Sequence, residues 1–155
     1  MNRDLSYKLK GKTAPKQLKV VEKTSPYSDI VYTEVAFPFP MSNRELLQKR
    51  LFVGNKEDPE VVKQLGLFDF THRYYVTMIH STERAEYPIT KKVVRGVTPV
   101  NHTLLEEVDG GIKVTFLTCQ DLDLPKAAAK SLEDNMGVVV VLGLLDFYKQ
   151  SFGGK

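Results

Sequence analysis

The chain has 155 residues, 42% of them hydrophobic and 26% charged, with a net charge of +3. This balance excludes a mainly disordered chain and suits one compact domain. No run of about 18 apolar residues is present to span a membrane, the first twelve residues lack the apolar core of a secretory signal, and the single cysteine, Cys119, cannot form an internal disulfide; a reducing, cytoplasmic setting is therefore expected.

The reading is one domain over residues 1–155, led by a flexible basic segment over 1–16. Residues 1–23 carry Arg3, Lys8, Lys10, Lys12, Lys16, Lys19 and Lys23 against Asp4 and Glu22. Such a segment suits transient contact with an anionic membrane surface. No nucleic-acid partner is expected, because aromatics do not interleave with these basic residues.

A short strand is predicted from Gln17 to Lys23. The Ser25-Pro26-Tyr27-Ser28-Asp29 turn cluster follows, then a β-rich run from Ile30 to Phe37, which together suggest a hairpin. Pro38 and Pro40 stop the ladder. Ser42 with Glu45 three residues later fits a capping box, so a short helix is expected there, with Leu46 to Val53 passing from helix into strand. Pro59 to Leu65 reads as one or two helical turns.

Arg73 to His80 is a strong strand, Lys92 to Val97 another, and Thr103 to Val108 continues it past a bulge at Pro99. Asp109-Gly110-Gly111 signals a tight turn, with Ile112 to Gln120 as the return strand. Residues 71–120 thus form an antiparallel meander. Asp123-Leu124-Pro125 opens a long helix over 126–150, apolar at Leu132, Met136, Val139, Val140, Gly143, Leu144 and Phe147. Strands first and a long helix last indicate an α+β fold, the helix laid on an antiparallel sheet.

Reactive constellations are scarce. His72, His80 and His102 lack metal-ligand spacing, and no nucleophile elbow, P-loop or dinucleotide fingerprint occurs. No active site is nominated, and neither an enzymatic activity nor a cofactor is expected.

The stretch Asp29 to Phe52, DIVYTEVAFPFPMSNRELLQKRLF, resembles START (StAR-related lipid-transfer) domains, especially the phosphatidylcholine-transfer type. Its core is PFPMSNR, Pro38 to Arg44. Tyr74 to Thr82, Lys91 to Gly96 and the Asp121-to-Pro125 step resemble later family segments in the same order. The resemblance covers about residues 17–150. It implies a helix-grip fold, with a curved sheet around the last helix and one phospholipid or sterol in a hydrophobic cavity between them. On that basis the expected lipid-binding residues are Arg50, Tyr75, Met78 and Phe116 from the sheet, and Met136, Val140 and Leu144 from the helix. Arg44 and Arg95 are expected to be structural. The family's first helix and strands have no counterpart before Gln17, which leaves an open sheet edge and suggests a homodimer paired through it. The alternative reading is a shortened regulatory or interaction module without a lipid tunnel.

Overall fold

Alternation of apolar and polar side chains produces the sheet that dominates the chain. The computed structural model describes residues 16–37, 40–66, 72–130 and 134. It divides into a unit spanning Pro15–Leu122 and a unit made of Met1–Ala14 with Asp123–Lys155.

The first unit holds β1 (Gln17–Ser25), β2 (Ser28–Val35), β3 (Arg44–Gly54), a short helix α1 (Pro59–Gln64), β4 (Tyr74–Ser81), β5 (Val94–Arg95), β6 (Val97–Val108) and β7 (Gly111–Asp121). The sheet order is β1-β2-β3-β4-β6-β7, with β5 beside β3. All pairings on this path are antiparallel, and β5 joins β3 in parallel through Arg44–Val94 and Glu45–Arg95. The expected hairpin and meander are both present. The ladder of β6 and β7 is irregular between Val97 and Val100, where Pro99 has no N–H to donate.

One expectation fails. The helix opened by Ser42 and Glu45 is absent, and Arg44 to Gly54 is strand throughout. The Glu45 carboxylate does not turn back on a helix start. It accepts from the Tyr32 hydroxyl at 2.9 Å and from Arg95 Nε at 2.9 Å. Pairing with β2 on one side, and with β5 and then β4 on the other, overrides a local helix signal in this central strand.

Helix α1 begins with Pro59 at its start, where a missing N–H costs nothing, and ends with Lys63 in its last turn. Its Val62 is fully buried. Val62 packs with Val53, Tyr74 and Val76, bordered by Leu51, Met78 and Leu104. The Asn55 side chain holds the connection, donating to the His72 carbonyl at 2.8 Å and accepting from the Tyr74 N–H at 2.9 Å.

In the second unit Lys126–Lys130 and Asp134 are helical. The Ala129 N–H donates to the Pro125 carbonyl at 3.0 Å. The rest of the helix expected over 126–150 lies outside the described residues.

Candidate functional site

Directly opposed residues in an antiparallel ladder project to the same face. The registers therefore sort every side chain of the sheet. One face carries Ile30, Leu47, Leu51, Val53, Val76, Met78 and Leu104, and α1 packs on it. On the other face Arg50 stands between Asp29 and Ile79. The next row there is Phe52, Thr77, Thr103 and Phe116, and the row after it is Gly54, Tyr75, Leu105 and Val114.

The structure thus brings Arg50, Tyr75 and Phe116 to one face and places Met78 on the opposite one. Met136, Val140 and Leu144 lie outside the described residues. At about 3.4 Å per residue, Arg50 and Tyr75 mark rows roughly 13 Å apart, with the Phe116 row midway.

Strand β4 ends at Ser81, and β5 takes its place beside β3. At that corner a single short segment separates β3 from β7. Arg44 Nε donates across it to the Leu122 carbonyl at 2.7 Å, and Arg44 Nη1 donates to the Ser42 carbonyl. Gly96 sits in the seam, where an added Cβ would lie 2.8 Å from both the Leu46 and the Leu122 side chains. Arg44 and Arg95 are structural ties, as expected: Arg95 joins the Glu45 carboxylate to the Tyr87 carbonyl.

The central polar element of this face is a two-point ion pair. Arg50 Nε donates to Asp29 Oδ1 at 2.8 Å and Nη2 to Oδ2 at 2.7 Å. The side chains are only 10% and 13% exposed. The guanidinium also lies 5.3 Å from the Phe52 ring centre. Nη1 takes no part in the pair with Asp29. One row on, Gln48 Nε2 donates to Thr98 Oγ1 at 2.8 Å, and Ser81 Oγ accepts from the Thr98 N–H at 2.7 Å. Sequence reading named Arg50 and missed Asp29. The available signal was an acidic residue opening an otherwise apolar β-run on the same segment.

Tyr75 closes the other end. Its hydroxyl donates to Glu57 Oε1 at 2.8 Å and accepts from Arg73 Nη2 at 2.6 Å, while Arg73 also pairs with Glu57. Burial pushes the Glu57 carboxyl up, but the hydrogen bonds from Tyr75 and Arg73 outweigh it and hold it below its usual range. On the α1 face, burial and the bond to Glu45 push the Tyr32 phenol up to about 12. An open cleft lined by Lys56, His72, Arg73, Glu107, Val108, Asp109 and Gly110 mixes both charges. It lacks the apolar wall that a lipid tail needs.

No protein-family model matches the chain, and no curated protein does. Solved structures do match its fold. The human StarD13 (DLC2) lipid transfer and protein localization domain superposes with a TM-score of 0.54 and 20% identity over 71% of this chain. Human STARD10 gives 0.63 and 19% over 88%, and human StAR-related lipid transfer protein 5 gives 0.65 and 14% over 90%. The chain spans 49%, 53% and 62% of those three chains. The curved sheet therefore has the fold seen in these START-domain structures.

Proposed function

We propose that this chain binds one lipid molecule, a phospholipid or a sterol, against the Arg50 face of its sheet and carries it between membrane surfaces in the cytoplasm. The observation that carries this reading is the Asp29–Arg50 pair, held almost dry on a sheet face where the next two rows bring Phe52, Phe116, Tyr75, Leu105 and Val114 together. An acyl chain laid along those rows gains roughly 0.8 kcal/mol per buried CH₂. The strip between Arg50 and the Tyr75 cluster is roughly 13 Å long, enough to seat much of such a chain. Arg50 is the polar contact that orients a headgroup, by its Nη1 or by exchanging Asp29 for a phosphate. Phe116 and Tyr75 supply wall. The START-like fold supports the reading, and two neighbours' names include lipid transfer. No cofactor and no bond-breaking step belong to it.

Binding of fluorescent phospholipid and sterol analogues tests the proposal. Phe116→Asp places a charge in the middle of the apolar strip and is expected to weaken binding by at least about tenfold, since an unpaired charge in an apolar site is strongly disfavoured. Lys63→Asp, on the exposed side of α1, should leave it unchanged. Equal binding by both variants, each verified as folded by circular dichroism, contradicts the reading.

A further inference from the structure

The α1 face of the sheet carries a histidine pair unrelated to the Arg50 face. The registers place His80 on β4 opposite Lys49 of β3, and His102 on β6 between Met78 and Leu117, one row away. Their Nε2 atoms are 3.0 Å apart. The rings meet edge to face, with centres 4.9 Å apart. His80 is exposed and His102 half-buried.

The tautomers follow from the partners. The Pro99 carbonyl can only accept, so His80 Nδ1 carries a proton and donates to it at 2.8 Å. In neutral His80 the Nε2 lone pair is therefore free to accept, and His102 Nε2–H fills it. A backbone carbonyl on the distal ring nitrogen is the outer contact that fixes a metal-binding imidazole. This carbonyl comes from the one residue in the bulge that cannot donate to a neighbouring strand.

We propose that His80 and His102 together bind a divalent transition-metal ion through their two Nε2 atoms, with Cu²⁺ preferred over Ni²⁺ and Zn²⁺. Nitrogens bound at about 2.0–2.1 Å and separated by the observed 3.0 Å subtend roughly 95° at the ion. That angle suits the square or tetragonal geometry of Cu²⁺ and Ni²⁺ better than the tetrahedron of Zn²⁺, and the affinity order of these ions runs the same way. Among the described residues no third histidine, cysteine or acidic side chain joins the pair, so water takes the remaining positions. On binding, the His102 proton shifts from Nε2 to Nδ1 and the ion takes its place. Burial together with neighbouring His80 lowers the proton affinity of His102, which reduces competition from protons.

Calorimetric titration of the full chain with Ni²⁺, and electron paramagnetic resonance with Cu²⁺ in a Cys119→Ser background, test the site. The serine keeps an exposed thiol from reducing the ion. One equivalent is expected to bind, with a Cu²⁺ spectrum showing two imidazole nitrogens. His80→Gln and His102→Gln should each weaken binding by more than tenfold and leave one such nitrogen, because losing even an outer partner costs about 10–100-fold. His72→Gln should change nothing. Absence of saturable binding, or binding unaltered in the His80→Gln/His102→Gln double variant, overturns the proposal.

Discussion

Asp29 and Arg50 set the strongest energetic constraint at the level of single residues. Removing one partner leaves the other charge nearly dry, so Asp29→Ala or Arg50→Ala is expected to cost about 3 kcal/mol in urea unfolding. Asp29→Leu/Arg50→Met should lose clearly less than the sum, because no lone charge remains. Additive losses would show that the two side chains do not act as a pair. Glu57 gives a pH signature. Its folded carboxyl lies below its usual value of 4.5, so the stability that it adds is full above that value and lost as pH falls. Glu57→Gln should therefore be less stable than the native chain at neutral pH, with the gap closing as the pH drops below about 4. A gap independent of pH would contradict the assigned cause. Arg50, Tyr75 and Phe116 were legible as strand residues, but their common face was not. A one-residue slip reverses every side chain, and only the observed registers separate these three from Met78.

Among the elements, β3 shows where sequence reading stops. Strands β2, β4, β6 and β7 alternate or are bounded by turn residues, and their existence could be read in advance. In β3, by contrast, residues from Arg44 to Gln48 are all buried, the charged ones included. Without alternation, the local run Arg44-Glu45-Leu46-Leu47 resembles the start of a helix, and only tertiary partners identify it as a strand. The exit from β3 depends on close approach. A Cβ on Gly54 would sit 2.8 Å from the Tyr75 ring, too near for contact. Gly54→Ala is expected to destabilise by about 1–3 kcal/mol, and Gly54→Ala/Tyr75→Leu to recover part of that loss in the same unfolding assay. Val62→Ala in α1 should cost about 2 kcal/mol, through lost burial and a cavity against Val53 and Val76.

At the scale of the whole molecule, β7 is an edge of the sheet among the described residues. It runs for 11 residues and leaves Ile112, Val114 and Leu117 44%, 43% and 58% exposed. Such an edge can pair with another strand, and we propose that the homodimer expected from the sequence joins there. A dimer mass by light scattering at micromolar concentration is expected, shifting to monomer in Val114→Lys; a monomer in the unmodified chain would contradict it. Among the described residues, no helix is long and apolar enough to cross a membrane. The carrier reading rests on the Arg50 face of the sheet and on the START-like fold. Its most direct test is native mass spectrometry of the full chain purified from cells without added lipid. The account predicts one phospholipid or sterol per chain, depleted in Phe116→Asp. A folded chain that carries no lipid and takes up none from mixed vesicles would contradict it.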